Sequence, residues 1–163
     1  MKVIVVTSAI LIAIALLIVF SLHGMNQRAK APGLTGGILS KCSDKPNCVC
    51  SESGNDASHS IEPIAIPQDS SFDTLSLLKE SIEEMEGNIM LQKENYIAAT
   101  FTSAIFRFVD DLEVRIDSAG KVIHIRSASR VGYSDFGVNR ERVEKFKAIF
   151  RAKALQMMRP ESR

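Results

Sequence analysis

The feature that most constrains this chain is an uncharged apolar run near its start. Residues 3–22 read VIVVTSAILIAIALLIVFSL, and only Thr7, Ser8 and Ser21 interrupt the apolar side chains. At about 1.5 Å of rise per residue, a helix of this length reaches ~30 Å, the thickness of a bilayer's hydrocarbon core. No polar stripe breaks the run, so it lacks the pattern of a helix lying on a soluble domain. The expectation is an uncleaved transmembrane anchor over 3–22, with the lipid bilayer as its partner. A cleaved secretory signal is the competing reading. Its apolar core is usually about 7–15 residues long and is followed by a small-residue cleavage site. This run is longer, and the small-x-small triplet Ala29-Lys30-Ala31 is followed directly by Pro32. Lys2 lies on one flank and Arg28 and Lys30 on the other, so the positive-inside signal nearly balances. A very short tail before a large domain resembles a signal anchor. That reading places the chain in the inner (cytoplasmic) membrane, single-pass, with its domain on the periplasmic side.

Residues 23–38 hold Gly24, Pro32, Gly33, Gly36 and Gly37 and few large apolar groups, the composition of a tether. A single globular domain over 39–158 follows, long enough for one core. The chain's formal charge is only +1, which offers no case for nucleic acid. The charge is unevenly spread. Residues 138–163 carry eight basic and three acidic groups, whereas residues 1–100 carry seven basic and eleven acidic. A basic C-terminal helix can steer an acidic partner or anionic lipid, or can be a solvated face.

The segment KCSDKPNCVCSES at 41–53 places Cys42 and Cys48 around a turn-forming stretch, with Cys50 left over. Three readings stay open. A Cys42–Cys48 disulfide would stabilise the fold by about 2–2.5 kcal/mol through loop closure. The cysteines can equally be plain thiols. A metal site with His59 is the third, although x5 and x1 spacings depart from the usual C-x2–4-C of zinc.

Farther on, the periodicity predicts an edge strand within 59–67, limited by Pro63 and Pro67. A helix over 71–86 follows, with Phe72, Leu75, Leu78, Ile82 and Met85 on one face, Asp69, Ser70 or Ser71 as cap, and Gly87 and Asn88 as stop. Strands are predicted over 89–94, 96–105, 112–117 and 121–127, with Gly120 supplying a positive φ in the turn between the last pair. A second amphipathic helix covers 138–158, with Val143, Phe146, Ile149, Phe150 and Leu155 inward and Arg140, Arg142, Lys145, Lys147, Arg151 and Lys153 outward. The expected fold is α+β: an antiparallel four-stranded meander sheet with two amphipathic helices packed on it, preceded by one transmembrane helix.

The densest polar stretch is RSASRVGYSDFGVNRER at 126–142. Arg126, Ser127, Ser129, Arg130, Asp135, Asn139 and Arg140 are the ligand-binding candidates, with Gly132, Gly137, Asp110 and Asp111 in support. Guanidinium forks bind carboxylate or phosphate in bidentate fashion, and a helix start attracts anions. These residues suit a pocket for an anionic small molecule. They suit equally an internal network in which Asp135 or Asn139 caps the helix and Arg130 pairs with Asp135, Asp110 or Asp111. No nucleophile-and-base pair is legible: there is no G-x-S-x-G elbow and no P-loop, and His124 sits mid-strand. No catalytic residue, cofactor or metal ligand is assigned.

The same residues resemble a known family. Cys42-x5-Cys48 with Pro46-Asn47-Cys48-Val49, the Phe108-Val109-Asp110-Asp111 segment, and the string from Arg126 to Val143 are similar to the bacterial and plastid family called domain of unknown function 1499. The resemblance covers about 39–150. Its motif falls on Cys42, Cys48, Asp110, Asp111, Arg126, Ser127, Ser129, Arg130, Gly132, Asp135, Gly137, Asn139 and Arg140; Cys50 stands where the family pattern more usually shows serine. The resemblance carries no activity with it. The function expected here is an exported binding or scaffolding module with an anion pocket near Arg126 and Arg130. The alternatives are an interaction domain that uses its basic last helix, and a hydrolase built on Ser127, Ser129 or Asp135.

Overall fold

The computed structural model describes residues 29–67, 72–105 and 107–158, together with scattered positions between 4 and 24. In chain order the elements are β1 (Leu34–Thr35), β2 (Ile38–Leu39), β3 (Cys48–Cys50), β4 (Ile64–Ala65), α1 (Thr74–Glu84), β5 (Asn88–Lys93), β6 (Tyr96–Thr102), β7 (Val109–Asp117), β8 (Val122–Ser129) and α2 (Val138–Met157).

The molecule is built on the long hairpin of β7 and β8, paired from Asp110↔Ser129 to Asp117↔Val122. Apolar side chains at alternate positions of both strands put Leu112, Val114, Ile123 and Ile125 on one face. The connecting turn is fixed by Asp117, whose Oδ1 accepts the Gly120 N–H at 2.8 Å. Its left-handed residue is Lys121 (φ 51°), not the expected Gly120.

The expected four-stranded meander is corrected by the pairing. The sheet is six-stranded and antiparallel, in the order β3-β8-β7-β6-β5, with β4 also on β8, and a separate two-stranded ribbon joins β1 to β2. Both additions to the main sheet lie along the outer edge of β8. Cys48–Cys50 pairs with Arg126–Ala128, and Ile64–Ala65 pairs with Val122–Ile123. Two short strands thus cover an edge that would otherwise expose unpaired backbone. The expected spanning helix over 3–22 is also corrected: among the described residues no helix is long and apolar enough to cross a membrane. The other positions of that segment lie outside the described residues.

Both helices pack on the apolar face. Leu77, Leu78 and Ile82 of α1 and Val143, Phe146, Phe150 and Ala154 of α2 close over Val49, Ile97, Ala99, Leu112, Val114, Ile123 and Ile125. Helix α1 starts later than its periodicity suggests, because Asp73 is the cap: it accepts the Leu75 N–H at 3.1 Å. The expected caps Asp69, Ser70 and Ser71 lie outside the described residues. The helix turns off at Glu86, which takes the left-handed conformation (φ 63°). Gly87 then serves close approach, since a Cβ there would sit 2.6 Å from Ile82 Cγ2 and 2.7 Å from Phe101 Cζ. Three inward–outward assignments on α2 are reversed, the first being Arg142, whose side chain is 10% exposed and pairs with Asp110. Leu155 is 62% exposed, and Lys147 is buried, its Nζ reaching Glu144 at 2.9 Å.

The opposite face of the sheet is covered as well. Leu39, Cys50, Tyr96 and Ala98 form a second small core there, joined by Ala31, Leu34 and Cys42 from the chain ahead of β3. What reads as a tether is in part a strap lying across the sheet.

Candidate functional site

The polar string begins on a strand, and a strand alternates. Arg126, Ser127, Ala128 and Ser129 belong to β8, so Ser127 and Ser129 point toward the helices while Arg126 points toward the strap. Arg130 follows the strand and turns to the strap side, where Asp111 lies. The candidates therefore divide into two networks on opposite sides of the sheet instead of lining one pocket.

On the helix side the centre is Asn139, fully buried at the start of α2. Its Oδ1 accepts from Ser127 Oγ at 2.6 Å and from Arg142 Nη1 at 2.6 Å; its Nδ2 donates to the Asn47 carbonyl and to Ser129 Oγ, both at 3.0 Å. The Asn47 carbonyl also accepts the Ser129 N–H at 3.0 Å, and Asn47 Nδ2 donates to the Gly132 carbonyl at 3.1 Å. Asp135 accepts the N–H groups of Gly137 (3.0 Å) and Asn139 (2.8 Å), and so fills the orphan donors of the helix start. Arg142 completes the group with Asp110 at 2.6 Å and lies 4.9 Å above the Phe101 ring. Asn47 and Arg142 were not among the candidates, although both stand inside the motif segments. The signal for Asn47 is the turn-forming stretch between Cys42 and Cys48, and that for Arg142 is its place at the end of the polar stretch 126–142.

On the strap side Arg130 grips Asp111 with both prongs, at 2.8 and 2.9 Å. Arg126 Nη1 meets Glu113 at 2.9 Å. Glu113 is completely buried and also accepts from Tyr96 Oη (2.6 Å) and from the Gly33 N–H of the strap (3.0 Å). Burial and the Glu113 carboxylate push the Tyr96 hydroxyl far above its ordinary pKa, so it stays a proton donor. Beside this group Glu52 accepts from Arg115 Nε at 2.8 Å and from the Leu39 N–H at 3.2 Å, with His124 Nδ1 at 3.5 Å. Glu52, Glu113, Arg115 and Tyr96 escaped the sequence reading because charges alternating with Leu112, Val114 and Ile116 look solvent-facing. The strap turns that face into an interior.

Cys42 and Cys48 form a disulfide with Cα atoms 5.6 Å apart, and Cys50 is free and buried. Both ring nitrogens of His59 have partners other than the cysteines. Its Nε2 donates to the Lys45 carbonyl at 3.0 Å and its Nδ1 meets Asp56 at 2.8 Å; the carbonyl first and then the carboxylate raise its pKa.

Arg140 is placed differently from the other arginines. It is exposed, and its guanidinium donates to the carbonyls of Ser58 (2.7 Å) and Ser60 (3.2 Å). Among the described residues no carboxylate lies within ion-pair distance of Arg140 or Arg151. Both line an open groove of about 410 Å³ between α2 and residues 60–62, with Lys147, Glu144, Ser60, Ile61 and Glu62 as its other walls. Around the next loop, Tyr133 and Phe136 are 71% and 93% exposed, and Phe136 holds a left-handed backbone (φ 55°).

The model of the family described as a protein of unknown function (DUF1499) matches residues 38–150. The chain belongs to this family. No curated protein matches the chain.

Proposed function

We propose that the domain is a binding module whose anion-recognising surface is the groove beside α2, with Arg140 and Arg151 as its cations. One observation carries this reading. Arg126, Arg130 and Arg142 are each committed to a carboxylate, whereas Arg140 and Arg151 are not. A guanidinium already neutralised in a bidentate pair has little left for a ligand. Arg140 is held in place by two carbonyls and keeps its charge available. Arg151 follows it along the same side of the helix, while Lys147 between them is paired with Glu144, so the groove suits an extended acidic segment of a partner protein. Glu62 and Glu144 in the walls limit the net positive charge and favour a partner of modest acidity. We place the domain in an oxidising, extracytoplasmic compartment, a reading supported by the Cys42–Cys48 disulfide.

The test is the binding of fluorescein-labelled hexaglutamate to the full chain, followed by anisotropy at several salt concentrations. Saturable, salt-weakened binding that falls at least about tenfold in the Arg140→Ala/Arg151→Ala double variant is expected, the loss of about 1.4 kcal/mol for two partly exposed charges. Equal binding by wild type and double variant would remove the groove from consideration.

A further inference from the structure

We propose that Cys42, Cys48 and Cys50 form an intramolecular thiol–disulfide exchange site, in which Cys50 is the attacking thiol and the Cys42–Cys48 disulfide its substrate. Cys48 and Cys50 sit at alternate positions of β3 and so face the same side of the sheet. Cys42 packs against the small core that contains Cys50. Asn55 holds Cys42 in place beside that core: its Oδ1 accepts the Cys42 N–H at 3.0 Å, and its Nδ2 donates to the Glu52 carbonyl at 2.9 Å. The third element is an orphan donor. Arg126 pairs directly with Cys50 across the strands, is 9% exposed, and its Nε has no hydrogen-bond partner. An unpaired buried donor is costly, and a thiolate at Cys50 would satisfy it. At rest burial raises the Cys50 pKa and keeps the thiol protonated, with Arg126 and Glu52 as the charged groups that face it.

The step balances without an outside oxidant. Cys50 gives up its proton, its sulfur attacks Cys42 Sγ, and the Cys42–Cys50 bond forms as the Cys42–Cys48 bond breaks. The electron pair leaves on Cys48, which takes up a proton. The bridge moves along β3 from the residue beside Asn47 to the buried position opposite Arg126. Asn47 holds Ser129, Asn139 and Gly132, so the exchange loosens or tightens the network at the start of α2.

Two measurements on the full chain test this. In wild type, incubated at mild alkaline pH and quenched in acid guanidinium, free thiols are labelled with N-ethylmaleimide. The disulfides are then reduced and labelled with iodoacetamide, and fragment-ion mass spectrometry assigns each label. Maleimide on Cys48 as well as Cys50 is expected; maleimide on Cys50 alone, unchanged by longer incubation, overturns the proposal. In Cys48→Ser, mild air oxidation is expected to remove both remaining thiols from a monomer, through a Cys42–Cys50 bridge. A monomeric variant with wild-type circular dichroism that keeps both thiols overturns it. If that variant does not fold, the wild-type labelling decides alone.

Discussion

Replacing Arg130 by alanine separates a bracing arginine from a ligand-holding one. The side chains of Arg130 and Asp111 are 9% and 6% exposed and meet through paired bonds of 2.8 and 2.9 Å. Truncation removes the counter-charge and leaves the Asp111 carboxylate enclosed beneath the sheet. Breaking one side of a buried pair costs about 3–5 kcal/mol. For a folded unit of this size each kcal/mol lowers Tm by roughly 3–6 °C, so Arg130→Ala should melt about 10–25 °C below wild type. The assay is thermal unfolding of the full chain followed by far-ultraviolet circular dichroism, with hexaglutamate binding measured well below the transition. Asp111→Ala should cost a similar amount, and the double variant should cost clearly less than the sum. A Tm for Arg130→Ala within 2–3 °C of wild type, a change typical of a surface site, would refute the bracing argument and return Arg130 to the ligand candidates.

Other outcomes follow from particular residues. Phe136→Gly should raise stability by about 1 kcal/mol, because a left-handed backbone is relieved at a side chain that is 93% exposed and packs on little; a lower Tm would show that the ring makes contacts that matter. Gly87→Ala should lower Tm, since its Cβ would collide with Ile82 and Phe101 at under 3 Å, and an unchanged Tm would contradict that tight approach. His59 has its pKa raised by the Lys45 carbonyl and Asp56. Its contribution is therefore complete below the unfolded value near ~6.5 and is lost as pH rises through the folded value. Wild-type Tm should decline between pH ~6 and ~8 more steeply than that of His59→Gln; parallel slopes would contradict the assignment.

The parts of the fold legible in the sequence are those long enough to show a period. Strands β5 to β8 and both helices reveal themselves through alternation or three-and-four spacing. β3 and β4 are too short for either, at three and two residues, and exist because the β8 edge lies open to them. The strap defeats pattern reading for a different reason. Gly33 and Leu39 contribute backbone N–H groups to Glu113 and Glu52, and backbone donors leave no trace in side-chain chemistry. The crowding of Arg126 to Arg142 was visible, but a crowd in sequence is not a crowd in space. Strand alternation sends Ser127 and Arg126 to opposite sides, and each arginine's partner comes from a distant segment. Arg140 alone among the candidates carries its charge to an open groove.

In the proposed function the α2 groove, rather than the arginines of β8, meets the anionic partner. The most direct measurement is a titration of the isotopically labelled full chain with hexaglutamate, followed by amide chemical-shift mapping. Saturable shifts confined to Ser60, Ile61, Arg140, Glu144, Lys147 and Arg151 are predicted. Shifts centred on Arg126, Arg130 and Glu113, with the groove silent, would contradict it.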